Sequence, residues 1–418
     1  MKREGSSTVE ADDSILVDPS FQAIKGKANY DDIHSETYSL ASSIYRGVME
    51  NGRRYQTMRE GEYWGPADDQ HFEALEAGYL SQLVMDSESP NALFQSPVEN
   101  PQNVLDIGTG RGTWAIDMAD MFPSAMIRGV DLFPPPVDWM PPNCVLEVDD
   151  VLQEWTWRES FDFIHMSIML GAFSTDEWER VYKQCYDNLT PGGWIEQFEG
   201  ACHIMSDDGS LPEDSILASW GDNLIAASNK SGRPMGTLDT MREQIEKAGF
   251  IDVHEKVYKW PIGGWAKDPV LKEAGRLNST MWKSGMEGWA MYLLTRYGTP
   301  KPWSKQEVQV LVAKARAEVK NPAHHIYILA RRIWARKPTS EELAKESKVT
   351  SESTQSAQQP PHRTPTPVAE SSIGSKSRSP SPERPTHATP PYLESSPELE
   401  KSSVTDGTST RGSSPQKT

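Results

Sequence analysis

Between residues 100 and 200 the chain alternates short apolar runs with longer segments whose apolar positions recur every three or four residues. Short runs bounded by turn formers read as buried strands, and the longer period reads as helix. Residues 103–107 predict a first strand, and 113–122 predict a helix with Ala115, Met118, Ala119 and Phe122 on one face. Strands two to five are expected at 125–130, 144–148, 161–166 and 194–198. A helix over 176–189 is closed by the breaker Thr190-Pro191-Gly192-Gly193. Upstream, 36–50 and 69–84 read as two helices covering one edge of the sheet. Downstream, a Trp- and Met-rich helical insertion at 268–319 precedes a last strand near 326–334, and is expected over a substrate pocket. Strands alternating with helices stack into βαβ units around a mostly parallel sheet, which sets the fold class as α/β.

Composition divides the chain. From about residue 338, Ser, Thr, Pro and Glu displace the apolar residues, and such a stretch buries too little surface to offset its ordering entropy. Residues 339–418 are therefore expected to be a disordered tail, with residues 1–28 similarly loose. Thr364, Thr366, Ser379, Ser381, Thr389, Ser396 and Ser414 each precede proline and suit a proline-directed kinase. The domain proper is then 29–338, made of an N-terminal arm (29–99), a core (100–200) and a substrate-side part (201–338). Nearly all of the net charge of −18 falls before Thr339. No Lys/Arg stripe of the kind that displaces phosphate counterions is present, which argues against a direct nucleic-acid partner. No apolar run is long enough to predict a membrane span, and the first residues lack a secretory pattern, so cytoplasm or nucleus is expected. Cys144, Cys185 and Cys202 lack metal-type spacing, and His324-His325 lacks further ligand-type neighbours; no metal is expected.

The candidate chemistry lies where the first strand meets the first core helix, at Asp106-Ile-Gly-Thr-Gly-Arg-Gly112. Glycines between a strand and a helix let backbone approach a ligand that a Cβ would block. A glycine loop is a weak signal alone, since nicotinamide and flavin dinucleotides use G-x-G-x-x-G. Here the spacing is G-x-G-x-G, which disfavours a pyrophosphate. Asp131 ends strand two about twenty residues on, where a carboxylate accepts from ribose hydroxyls. Strand three ends in Asp149-Asp150, of which Asp150 is the first choice to accept an adenine amine. An acidic cleft also suits a sulfonium cation.

These residues, with Ser160-Phe-Asp162 entering strand four and Leu189-Thr-Pro-Gly-Gly-Trp-Ile-Glu196 entering strand five, resemble the class I S-adenosylmethionine-dependent methyltransferases. The resemblance implies a Rossmann-like seven-stranded sheet of order 3-2-1-4-5-7-6 with strand seven antiparallel. Asn51-Gly-Arg-Arg-Tyr55, Glu60-Gly-Glu-Tyr63, Thr113-Trp-Ala-Ile-Asp-Met-Ala-Asp120 and Trp194-Ile-Glu196 resemble, more narrowly, the LaeA-like methyltransferases of filamentous fungi. Arg111 and Ser167 depart from that family's commonest pattern. The resemblance implies S-adenosyl-L-methionine as cofactor, held by Asp106, Gly108, Gly110, Gly112, Asp131, Asp149 or Asp150, and Met166, with Tyr55 and Tyr63 in a lid over it. The catalytic residue stays open: His165, Glu196, Glu199 and His203 are candidates for taking an acceptor's proton. The expected function is O- or N-methylation of a small molecule in fungal secondary metabolism. The alternative is a nuclear regulator of secondary metabolism acting through protein partners, by its tail or arm, or through protein methylation.

Overall fold

In a computed structural model of the chain, the described residues are 44–137 and 139–345. Residues 1–28 and 346–418 of the expected disordered ends, with all seven Ser/Thr-Pro pairs, lie outside them. The elements in chain order are β1 (Val48–Glu50), β2 (Arg53–Tyr55), α1 (Asp69–Met85), β3 (Asn103–Ile107), α2 (Thr113–Met121), β4 (Met126–Asp131), β5 (Cys144–Val148) and β6 (Phe161–Ser167). They continue with α3 (Thr175–Asn188), β7 (Leu189–Met205), α4 (Trp220–Ser231), α5 (Thr237–Lys247), β8 (Ile251–Ile262), α6 (Pro269–Tyr297), α7 (Lys305–Val319) and β9 (Ile326–Arg336). Helix starts follow capping chemistry: Asp68 and Asp268 accept from backbone N–H groups of α1 and α6, and Ser174 with Glu177 and Ser304 with Glu307 close capping boxes.

Seven strands form one sheet in the order β5-β4-β3-β6-β7-β9-β8, which is 3-2-1-4-5-7-6 when counted from β3. β3 pairs in parallel with β4 and β6, and β9 runs antiparallel to both β7 and β8. This is the Rossmann-like methyltransferase sheet. One face packs Leu105, Ile107, Ile164 and Met166 against α3 and α5, through Val181, Tyr182, Met241 and Ile245. The other packs Val104, Ile127 and Phe163 against α2. A third core joins the far end of β7 to α4, α6 and α7, so the insertion lies against the sheet's ligand-bearing edge.

Three expectations need correction. Residues 36–43 lie outside the described residues, and 44–50 are not one helix: 44–46 are helical and 48–50 are strand. Gly47 at φ 59° breaks the helix, and Asn51-Gly52 form the positive-φ two-residue turn of a β1–β2 hairpin. β8 was not anticipated, because a register shift between Ile251 and His254 breaks its period-two pattern. The ordered chain also runs past 338, since residues 340–345 are helical and Glu342 pairs with Arg336 at 2.8 Å.

Candidate active site

A cavity of about 180 Å³ opens at the C-terminal ends of β3, β4 and β6, under α1 and the arm that precedes it. The glycine loop forms its floor. Gly108 and Thr109 donate backbone N–H groups to the Val130 carbonyl at 2.9 and 3.0 Å, fastening the loop to β4. Gly110 has φ 57°, and a Cβ built there would meet no protein atom within 4 Å, so that position is open to a ligand. Gly112 does something else: at φ 80° it starts α2, and a Cβ there would lie 2.5 Å from Leu146. It allows close helix-to-strand packing and does not line the cavity.

Asp131 closes β4 and faces the cavity. Its Oδ2 accepts from Gly110 N at 2.9 Å and its Oδ1 from Phe133 N at 3.3 Å. Burial nonetheless pushes its carboxyl up to about 6. Asp149 and Asp150 both line the cavity. Asp150 is buried and accepts from Leu152 N at 3.0 Å, whereas Asp149 is exposed and caps Asp150 N at 2.8 Å. Asp106 and His165 meet across the β3–β6 pairing, with Asp106 Oδ1 2.8 Å from His165 Nδ1. Thr109 Oγ1 donates to the other Asp106 oxygen at 2.7 Å, and the His165 ring stacks on Trp114 at 3.8 Å.

Other expected residues are not brought to this cavity. Met166 is buried in the core beneath the sheet; strand alternation sends its neighbours His165 and Ser167 to the cavity instead. Tyr55 packs against Tyr292 at 5.5 Å in the insertion core, while Tyr63 does line the cavity. Glu196 is wholly buried and accepts from Gln95 N, Ser96 N, Ser96 Oγ and, at 2.7 Å, Arg332 Nη1, so its lone pairs are committed to holding the chain. Arg332 also pairs with buried Asp86 at 3.0 Å. Glu199 is buried behind the cavity wall, where its Oε1 accepts from Met169 N and Gln197 and its Oε2 has no partner; burial pushes its carboxyl up to about 7. His203 is exposed and bonds Asp222 at 3.0 Å, away from the cavity.

Two features of the site carried no recognised sequence signal. The arm is latched over the cavity by charge: Arg233 bonds Glu177 at 2.7 Å and Glu62 at 2.6 Å, and Arg59 reaches Glu177 at 2.7 Å. Against burial, which raises it, the Ser174 N–H together with these two arginines holds the Glu177 carboxyl down at about 2. Glu62 lies within the Glu60–Tyr63 stretch expected to form a lid; Arg59 is a local partner, but Arg233 reaches it from 171 positions away. The second feature is His71 on α1, which lines the cavity and also a smaller apolar cavity of about 80 Å³ beside it. Tyr63, Leu75 and Ile168 are likewise common to both walls.

The sheet order, the open glycine loop and the acids ending β4 and β5 together define an S-adenosylmethionine-dependent methyltransferase. Residues 80–255 match the family model described as a methyltransferase domain. Methyltransferase pytC of Aspergillus terreus is 38% identical over 299 residues, spanning 71% of this chain and 90% of its own length. The secondary metabolism regulator LAE1 of Cochliobolus heterostrophus is 34% identical over 293 residues, spanning 67% and 91%. Among solved structures, phosphoethanolamine N-methyltransferase 2 of Haemonchus contortus with S-adenosyl-L-methionine is similar at 17% identity and TM-score 0.38, over 62% of this chain and 52% of that one. The chain belongs to the family of fungal methyltransferases that takes in pytC and the LaeA-type regulators. Among the described residues, no helix is long and apolar enough to cross a membrane.

Proposed function

We propose that this methyltransferase methylates a small-molecule acceptor, at oxygen or nitrogen, in fungal secondary metabolism. The observation that carries the reading is the union of the two cavities. The cofactor cleft shares four wall residues with a separate apolar chamber that the far end of β7, α4, β8, β9 and the insertion helix α6 complete.

The residues present fit the cofactor. Gly110 leaves room for backbone approach, and Gly108 keeps the loop close to β4. Asp131 would accept from the ribose hydroxyls and Asp150 from the adenine amine. Asp106, with one oxygen on His165 and the other on Thr109, would attract the methionine ammonium through its charge. S-adenosylmethionine, when bound, supplies a methyl group already activated by positive sulfur. What remains for the protein is alignment and exclusion of water, which such a displacement rewards strongly. Tyr63 and the Arg59–Glu62–Glu177–Arg233 latch close the cleft from above.

Methyl-label transfer from labelled cofactor into a source-cell extract tests the reading, with Asp131→Ala as control and small molecules separated from protein. Label in the small-molecule fraction with wild type alone supports it. Label confined to protein favours the second reading, a regulatory methyltransferase, which the relative named a secondary metabolism regulator supports.

A further inference from the structure

The smaller cavity has a composition that names its guest. Five tryptophans line it (Trp64, Trp220, Trp260, Trp282 and Trp289), with Leu, Ile and Met filling most of the remainder. Stacked and edge-on indoles favour a flat ring system over a flexible chain. Two of these indole N–H groups are already spent: Trp64 donates to the Leu170 carbonyl at 3.2 Å and Trp260 to Ser81 Oγ at 2.7 Å. Trp282 is different. Its Nε1 is buried without a partner, although the residue is only 3% exposed. His71 is also 3% exposed, and its Nδ1 is equally unpartnered. A buried polar atom left unpaired costs stability, and both of these belong to side chains that line one otherwise apolar chamber. A guest with a polar group at each end would pair both.

We propose that this chamber binds a planar aromatic acceptor bearing a ring hydroxyl, with Trp282 donating to a polar atom of the buried end and His71 taking the hydroxyl proton at the cofactor end. The inference rests on the methyl-transfer reading above. His71 belongs to both cavity walls, so a hydroxyl beside it stands at the boundary with the cofactor cleft. Its ring is neutral near pH 7, because burial, helped by Arg53 and opposed by Asp68, pushes it down to about 4. A neutral imidazole keeps one acceptor nitrogen. In the step, the hydroxyl oxygen uses a lone pair to form the new bond to the methyl carbon. The carbon–sulfur bond breaks with its electron pair returning to sulfur, and the hydroxyl proton passes to the imidazole.

The test uses the full chain saturated with S-adenosylhomocysteine, and 2-naphthol, 2,6-dihydroxynaphthalene and naphthalene as probes, read by quenching of tryptophan fluorescence. The expected result is that 2-naphthol binds more tightly than naphthalene. His71→Phe weakens 2-naphthol about tenfold, the worth of one buried hydrogen bond, and Trp282→Phe weakens 2,6-dihydroxynaphthalene, whose second hydroxyl reaches the buried end, by the same factor; both leave naphthalene binding within about threefold of wild type, and Trp282→Phe leaves S-adenosylhomocysteine binding so as well. Gly200→Ala is the variant least disposed to disturb folding, since its added carbon makes only ordinary contacts, 3.4 Å from Ile328 and 3.9 Å from Trp260. It narrows the chamber and should weaken every probe. With the methyl donor present, mass spectrometry should find the naphthyl methyl ether, formed at least about a hundredfold more slowly by His71→Phe. Absence of 2-naphthol binding to protein that holds S-adenosylhomocysteine overturns the inference and leaves the methyltransferase reading standing, as does undiminished turnover in His71→Phe. Failure of the wild-type protein to bind S-adenosylhomocysteine overturns both.

Discussion

Asp131→Asn is the sharpest perturbation of the cofactor site, because it keeps the side chain's volume while removing its charge and one acceptor oxygen. The carboxylate sits at the end of β4, with Oδ2 on Gly110 N at 2.9 Å, and burial has pushed it up to about 6. Hydrogen bonds from ligand hydroxyls to a charged acceptor contribute about 1.5–3 kcal/mol, so the variant should bind S-adenosylhomocysteine about ten- to a hundredfold more weakly at about pH 7.5. Titration calorimetry reads this directly. The pH series carries a second signature. As pH falls through about 6 the native carboxyl protonates and stops accepting, so wild-type affinity should drop about tenfold by about pH 5. The Asn variant should lack this limb of the curve. Stability runs in the opposite sense. The folded-state value lies above the unfolded one of 3.8, so this group's contribution to stability is fullest below 3.8 and is lost as pH rises to about 6. At about pH 7.5 the unliganded variant should therefore melt no lower than wild type. Equal affinities, or identical pH curves for the two proteins, would refute the assignment of Asp131 to the ligand.

Other perturbations probe separate parts of the structure. Gly110→Ala meets no protein atom within 4 Å but is strained at φ 57°, by about 1–2 kcal/mol, so it should fold with a slightly lower melting temperature yet lose most S-adenosylhomocysteine binding in the same calorimetric assay; full retention would mean that the loop is not the cradle. Arg332→Met strands buried Glu196 without its counter-charge and leaves buried Asp86 with Lys256 alone, which should cost about 3–5 kcal/mol and lower the melting temperature by roughly 6–15 °C, read by differential scanning calorimetry. Glu199→Gln should gain on wild type as pH rises from 4.5 to about 7, because the native carboxyl resists ionisation across that window while the unfolded chain does not; parallel melting curves against pH would contradict this. Arg233→Met should release the arm, seen as faster proteolytic cleavage between residues 56 and 67 in unliganded protein, with β3–β6 unaffected.

Much of the cofactor half was legible before any tertiary structure, because its determinants are local. Asp106 to Gly112 is one strand-to-helix turn, and its glycines must adopt positive φ whatever surrounds them. Asp131 is marked by its distance from that loop, since one βαβ unit has a nearly constant length. Chain-local reasoning failed wherever a role depended on which face a residue presents or who stands opposite. A one-residue difference separates Met166 in the core from Ser167 on the cavity, and Gly112 serves Leu146 where Gly110 serves the ligand. Glu196 and Glu199, three positions apart on β7, looked equivalent in sequence. Arg332, 136 residues away, neutralises the first, whereas no cation among the described residues pairs with the second. His71, Trp282 and Gly200 come from α1, α6 and β7, so only the packing of the insertion against α1 and the sheet edge could place them around one chamber. The sequence by itself determined the parallel strands and the loop, through short-range backbone geometry and the regular length of the repeating unit, and through the family resemblance these carry it implied the sheet order and the class of cofactor. The tertiary structure decided the latch, the buried charge pairing and the acceptor chamber, because each is a meeting of side chains whose separation along the chain carries no periodic trace.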